Sequence, residues 1–342
     1  MRSETTILPG DNPAAIKQAA ARLRDGEVVG MPTETVYGLA ADALNVAAVA
    51  KVFEAKQRPS FDPLIVHVPD REQASKLAVF NEQAERLAQA FWPGPMTLVL
   101  SRRRGANDEP IVPDLVTAGL DAVGLRVPDH PVALALLSET QRPLAAPSAN
   151  TFGSISPTLA QHVVDELGNK VGVVLDGGPC DRGVESTVVR VTDAGVEVLR
   201  LGALPVELIE QVIGGPVLVC PPSSSPGLDG QAKPAPGMVD RHYAPGTTMR
   251  YFDQRESIDS FEPTGRWALL YVGSMPDHGE RYEVTRNLSD SGDLAFAAAA
   301  LFSTLRELDG MGLDGIAALA VENEGLGRAI NDRLQRGSTR PN

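Results

Sequence analysis

Apolar and polar positions along this chain follow two rhythms, and the switches between them mark out the elements. A helical rhythm starts at Asn12-Pro13, with Asn as N-cap and proline at the first helical position, where its missing N–H leaves no bond unmade. It ends near Asp25-Gly26. Glu27 to Met31 then reads as a strand. Asn45 caps a second helix, with Val46, Val49, Ala50 and Phe53 expected on one face. Pro59 stops that helix, so Lys56 and Arg58 fall at or just past its C-terminal end. Period-2 or continuous apolar runs predict strands at Leu64 to Val68, Thr97 to Ser101, Ala122 to Val127, Val171 to Asp176, Val184 to Val191 and Val196 to Leu201. Helical spacing predicts Glu82 to Phe91, Val132 to Ser138, Thr158 to Leu167 and Pro205 to Val212. Adjacent strands are too frequent for a simple doubly wound arrangement, so residues 1–213 are expected to form an α/β domain on a twisted mixed sheet.

Between Gly214 and Gly246 proline, glycine and serine displace the periodic pattern, which marks a linker. Its last part, Ala235-Pro236-Gly237-Met238-Val239-Asp240-Arg241-His242-Tyr243-Ala244-Pro245, carries groups that a spacer does not need. Such groups suit a segment that folds back over a site. Beyond it, Trp267 to Val272 and Ile316 to Val321 read as strands, and Asp293 to Leu308 and Leu326 to Leu334 as helices. These predict a small α/β domain over residues 247–336, with a frayed tail from Gly337.

Charge narrows the function. The formal balance is 31 − 44 = −13, which disfavours stable binding to long RNA or DNA, because that binding depends on Lys and Arg neutralising phosphates. A few converging cations would still hold a nucleotide. No apolar run reaches the ~18 residues that span a bilayer, and the N-terminus lacks the apolar segment of a secretory signal. Cys180 and Cys220, the two cysteines of the chain, form no close-spaced motif and point to a reducing cytoplasm. The Gly310-Met311-Gly312-Leu313-Asp314-Gly315 run matches G-x-G-x-x-G, but it follows a predicted helix and precedes a strand, the reverse of a dinucleotide loop. No Walker A run, H-E-x-x-H or paired C-x-x-C occurs, so nucleotide chemistry needs another fold and structural zinc has no case.

Candidate chemistry gathers at the ends of apolar runs. Pro32-Thr33-Glu34-Thr35-Val36-Tyr37-Gly38-Leu39, Lys56-Gln57-Arg58 and Pro63-Leu64-Ile65-Val66-His67 bring hydroxyls, two cations and an imidazole beside buried strands. That mixture suits a small amino acid with a triphosphate better than a hydrophobic ligand. Alone, Lys56 and Arg58 would read as cations complementing a helix dipole, and His67 as a satisfied histidine at a strand end. Arg126 sits in the otherwise apolar Val123-Gly124-Leu125-Arg126-Val127, where a guanidinium needs a carboxylate or phosphate partner. Pro147-Ser148-Ala149-Asn150 is either a turn or a polar strand end offering a hydroxyl and an amide. Asp176-Gly177-Gly178 and Val184-Glu185-Ser186-Thr187-Val188 pose the same choice between a hairpin and a cleft wall.

Taken in this order, the segments resemble the YrdC-like threonylcarbamoyl-AMP synthase family in its long form with an added C-terminal domain. The resemblance covers Gly26 to Gly202, the Pro-Gly-Met…His-Tyr-Ala-Pro run of the linker, and Gly325-Leu326-Gly327-Arg328-Ala329-Ile330 through Arg333-Leu334. The family's K-x-R…S-x-N tetrad stands intact as Lys56, Arg58, Ser148 and Asn150. The resemblance implies a YrdC-like catalytic domain, a Rossmann-like C-terminal domain, and a nucleotidyltransferase in tRNA threonylcarbamoylation. That enzyme joins L-threonine, bicarbonate and ATP into threonylcarbamoyl-AMP and pyrophosphate, with Mg²⁺ accompanying ATP. Carried over by motif position, Thr35, His67, Arg126, Ala146 (through its backbone) and Ser186 surround threonine. Lys56, Arg58, Asp62, Ser148, Asn150, Ser156, Arg200 and Tyr243 line the ATP side, with Lys56 and Arg58 stabilising phosphate charge and Asp62 a candidate for Mg²⁺. A threonylcarbamoyl transferase complex is the implied downstream partner. Two other readings compete: a non-catalytic RNA-binding module, and the carbamoyl-adenylate-forming relative used in hydrogenase maturation, whose cysteine pairs this chain lacks.

Overall fold

The computed structural model describes residues 5–220 and 242–338. The Pro236 to Arg241 part of the linker motif lies outside the described residues, whereas His242 to Pro245 lie within them.

The first unit is built on one sheet whose strands run, edge to edge, Thr6–Pro9, Val173–Asp176, Val29–Met31, Gly38–Asp42, Leu144–Ala145, Ile65–His67, Ala122–Arg126, Met96–Ser101, Thr187–Thr192, Gly195–Arg200 and Leu218–Val219. Parallel and antiparallel neighbours are mixed throughout, as the sequence led one to expect. The last strand, Leu218–Val219, pairs in parallel with Gly195–Arg200, so the sheet continues past residue 213. The two-residue strand Leu144–Ala145 lies between Gly38–Asp42 and Ile65–His67, antiparallel to both. Its shortness left no periodic signal in the sequence.

Both faces of the sheet are covered. Helices Pro13–Arg24 and Pro131–Thr140 bury Ala19, Leu23, Leu136 and Leu137 against Val29, Met31, Val173 and Leu175. Helices Val46–Lys56 and Glu82–Phe91 pack on the opposite face. The Val46–Lys56 helix turns a different stripe inward from the one expected. Ala48, Val49, Val52 and Phe53 are buried while Val46 and Ala50 are exposed, because the Asn45 cap and the sheet fix the helix's rotation. Gln57, in the left-handed conformation at φ 51°, ends the helix before Pro59 is reached.

The second unit carries the parallel sheet Met249–Phe252, Gly315–Leu319, Trp267–Tyr271, Val284–Asn287. Helices Leu294–Asp309 and Leu326–Ser338 pack against it. The G-x-G-x-x-G run is the loop from the first of these helices into strand Gly315–Leu319. The final helix does not fray at Gly337, which is buried and helical, packed close to Met249 and the Tyr243 backbone.

The two units share one apolar seam. Val36, Ile155, Val184 and Ala203 of the first pack with Ala298, Leu301, Phe302 and Leu305 of the second. Burying a side chain such as Phe302 is worth roughly 1.5–3 kcal/mol relative to exposure. At Gly183, φ +67°, a Cβ would lie 2.3 Å from the Ala298 carbonyl oxygen, so this position must be bare for the helix to approach. Arg306 adds an ion pair to Glu166 at 3.2 Å across the same boundary.

Candidate active site

A hollow opens where the central strands end. Thr33, Thr35, Val36, Gly38, Arg58, Ile65, His67, Arg126, Ala146, Pro147, Ser148, Glu185, Ser186, Arg200, His242 and Tyr243 enclose about 550 Å³ of empty space including its mouth. Strand register explains much of the gathering. His67 and Arg126 are direct partners on parallel strands. Gly38 bridges to Ser148, and Leu39 N–H donates to the Pro147 carbonyl at 2.8 Å, which brings the hydroxyl-rich turn against the Pro147–Asn150 strand end.

Arg126 finds its anion within the chain. Its Nη2 lies 2.6 Å from Glu34 Oε1 with both side chains 4% exposed, and its Nε donates to the Gly94 carbonyl at 3.2 Å. Thr33 Oγ1 donates to the Val36 carbonyl at 2.6 Å and sits 2.9 Å from Thr35 Oγ1, folding the turn so that Thr35 faces the hollow. Opposite, Ser186 Oγ lies 2.7 Å from Thr97 Oγ1 and accepts from Arg200 Nη2 at 3.1 Å. Burial, and after it the Arg126 charge, pushes the His67 imidazole down to about 3, so it is neutral at physiological pH. Its Nδ1 has no hydrogen-bond partner among the described residues.

The basic pair divides its work. Arg58 Nη2 lies 2.9 Å from Asp62 Oδ2 and donates to the Pro63 carbonyl at 2.8 Å, while Nε donates to the Asp62 carbonyl at 3.1 Å. The guanidinium is thereby held against the hollow it lines. Lys56 stands behind the wall: its Nζ donates to the carbonyls of Ser148 at 2.6 Å and Asn150 at 2.5 Å, pinning the loop that presents Ser148. Burial, and then the neighbouring Arg58 charge, lowers the Lys56 pKa well below that of an ordinary lysine. Asn150 gives both N–H bonds to the Thr151 and Ser154 carbonyls and keeps Oδ1 without a hydrogen-bond partner.

Of the residues expected from the sequence, Thr35, Arg58, His67, Arg126, Ala146, Ser148, Ser186, Arg200 and Tyr243 line the hollow. Lys56, Asp62, Asn150 and Ser156 support it from behind, through the contacts just given and through Ser156 Oγ donating to Glu185 Oε1 at 2.5 Å. Four more residues belong to the neighbourhood, each lying in a run singled out in the sequence but given no ligand there: Glu34, Glu185, His242 and Arg333. Glu34 had a signal in the need of a strand-borne Arg126 for a carboxylate. Glu185 and Arg333 meet across 148 positions of sequence, which leaves no local trace. The His242 imidazole lies 4.1 Å, ring centre to ring centre, from Tyr243 and 5.7 Å from Phe152. Burial, then the Arg336, Arg58, Lys56 and Arg200 charges, holds it well below the usual histidine range, so it too is neutral.

A family model described as "Telomere recombination" matches residues 21–202, and one described as "Threonylcarbamoyl-AMP synthase, C-terminal domain" matches residues 204–339. The curated threonylcarbamoyl-AMP synthases of Pyrococcus abyssi and Bacillus subtilis are each 40% identical to the chain. The matches span 94% and 96% of this chain respectively and 94% of each relative. The crystal structure of P. abyssi Sua5 complexed with L-threonine matches with a TM-score of 0.88 and 39% identity, covering 98% of both chains.

Proposed function

The chain belongs to the threonylcarbamoyl-AMP synthase family, and from that membership we propose how its cleft makes a threonylcarbamoyl adenylate. It is an enzyme of the nucleotidyltransferase kind, which sets aside the passive RNA-binding module and the hydrogenase-maturation relative.

L-Threonine occupies the side walled by Thr35, His67, Arg126, Ala146 and Ser186. The Arg126 guanidinium takes its carboxylate, and neutral His67 and the Thr35 and Ser186 hydroxyls take its hydroxyl and nitrogen end. ATP lies along Arg58, Ser148, Arg200 and Tyr243, with Lys56, Asn150 and Ser156 fixing that wall and Asn150 Oδ1 open to a donor. The amine and bicarbonate form a carbamate with loss of water. A carbamate oxygen then bonds to the α-phosphorus while the bond to the β-phosphate oxygen breaks, and pyrophosphate leaves. Alignment and cationic cover supply the catalysis, and no enzyme nucleophile is needed.

Mg²⁺ would enter with the ATP phosphates and neutralise charge on the leaving pyrophosphate. Among the described residues no group of three or more His, Cys, Asp or Glu is placed to hold a metal, and Asp62 is committed to Arg58. His242 and Tyr243 close one side, which would shield the mixed anhydride from water until a transferase accepts it. No helix among the described residues is long and apolar enough to cross a membrane. The absence of paired cysteines supports a cytoplasmic setting.

The observation that carries this reading is that His67, Arg126 and Ser186 share one hollow with Arg58, Ser148 and Tyr243. Incubation with ATP, bicarbonate and L-threonine should yield AMP-linked threonylcarbamate and pyrophosphate. Pyrophosphate release that ignores threonine would contradict it.

A further inference from the structure

The seam between the units is mainly apolar, and beside its partly exposed ion pairs one buried charged contact comes from the last helix, Leu326–Ser338. There Arg333 is fully buried, at 0% exposure, yet its guanidinium serves the first unit. Its Nε and Nη2 both lie 3.0 Å from Glu185 Oε2, and its Nη1 lies 2.7 Å from Asp332 Oδ2. The other oxygen of Glu185 receives the Ser156 hydroxyl. The same guanidinium sits 4.9 Å from the centre of the Tyr243 ring, as does that of Arg336, and Phe302 stacks on the ring at 5.7 Å. Tyr243 is thus held by groups of the second unit, at φ +64°, while its hydroxyl has no hydrogen-bond partner among the described residues. Gly337 permits the approach, since a Cβ there would meet Met249 Cε at 2.5 Å and the Tyr243 carbonyl at 3.1 Å.

Adhesion alone does not call for this arrangement. A buried ion pair holds surfaces together no better than apolar groups of similar volume, and the seam beside it is already mainly apolar. Glu185 and Tyr243 both line the hollow, together with Arg200 and Ser186. Burial raises the Glu185 carboxyl, but Arg333, Arg200 and Ser156 outweigh it and keep the group ionised.

We propose that Arg333 is a positioning residue of the adenylate-forming cleft: supplied by the second unit, it fixes the Glu185 carboxylate and the Tyr243 ring and so shapes the nucleotide wall. This rests on ATP lying along that wall as described above. The second unit therefore completes the site as well as covering it, and nucleotide affinity depends on a contact that spans the chain.

The test uses the full chain, with Arg333→Gln, Glu185→Gln, the pair Arg333→Met with Glu185→Gln, and Arg328→Ala as control. Arg328 reaches Glu207 at 3.3 Å across the same boundary, away from the cleft. Each variant is titrated with a non-hydrolysable ATP analogue and assayed for threonine-dependent pyrophosphate release. Arg333→Gln and Glu185→Gln should each lower analogue affinity about tenfold or more, a size expected for loss of a charged hydrogen-bonded contact. The paired variant should lose no more than either single one, because the two side chains act as a unit, and the threonine KM should hold. Arg328→Ala should match the parent. Removing both charges avoids leaving either one without the other, and Asp332 keeps Arg336 at 3.3 Å, so the paired variant keeps the test readable if a single variant fails to fold. A folded paired variant with parental analogue affinity, additive losses in the two singles, or equal losses in Arg328→Ala would each overturn the proposal. A parent that binds the analogue but releases no pyrophosphate with threonine would instead count against the proposed reaction, while the titrations still decide the role of Arg333.

Discussion

Glu34 Oε1 and Arg126 Nη2 form a 2.6 Å ion pair with both side chains almost fully buried, so the guanidinium that lines the hollow is oriented by the chain itself. Breaking such a pair from one side leaves an uncompensated charge, at a cost of about 3–5 kcal/mol. Arg126→Ala should therefore both lower stability and raise the threonine KM about 10- to 100-fold, the worth of a lost charged hydrogen bond. Adding Glu34→Gln should recover much of the stability and none of the threonine affinity. Chemical denaturation beside threonine saturation curves separates the two effects. Recovery of both together would mean that Arg126 acts through packing alone.

Arg58 should govern the other half of the hollow. Its three contacts to Asp62 and Pro63 use a fixed planar fork, which a lysine cannot reproduce. Arg58→Ala and Arg58→Lys should each weaken ATP binding about tenfold or more while the affinity for threonine holds. Calorimetric titration with each ligand reads this directly. A lysine variant that binds ATP as well as the parent would show that charge without geometry suffices.

Acid should weaken the fold through His67. Unfolded, its imidazole titrates near 6.5; folded, burial and the Arg126 charge push it down to about 3. The unfolded chain therefore binds the extra proton first, and the contribution of His67 is complete above about pH 6.5 and falls as pH drops toward 3. Its slope is about 1.4 kcal/mol per pH unit. Glu185, held below the usual carboxylate range, adds to the loss at the acid end. Denaturation midpoints measured from pH 7 to pH 4 should fall, and His67→Gln should flatten the curve. An unchanged slope in that variant would assign the acid sensitivity elsewhere.

The seam at Gly183 offers a way to loosen the closure without touching a polar group. A Cβ there would press on Ala298 and Ala299 backbone atoms within 2.6 Å, and φ +67° disfavours any side chain. Gly183→Ala should prise the helix Leu294–Asp309 away from the cleft. The expected result is lower thermal stability and more ATP consumed per threonylcarbamoyl adenylate formed, since the anhydride would meet water. Tight coupling in a destabilised variant would detach shielding from the fit of the two units.

Much of this molecule was legible in order along the chain. Asn12-Pro13 and Asn45 set their helix starts by local capping, and the close run of strands announced a mixed sheet. The resemblance carried by the K-x-R and S-x-N motifs implied that Lys56, Arg58, Ser148 and Asn150 share one neighbourhood. The helix starts rest on bonds between residues a few positions apart, which a linear pattern records, whereas Lys56 meets the Ser148 carbonyl across 92 positions. Tertiary structure alone decided which stripe of the Val46–Lys56 helix turns inward, that Lys56 braces a loop while Arg58 faces the hollow, and that Glu34 answers Arg126. It also decided that Arg333 reaches Glu185. In each of these cases the partner is chosen by long-range register and by the need to pair charge where water is excluded, and neither is written in any local stretch of sequence.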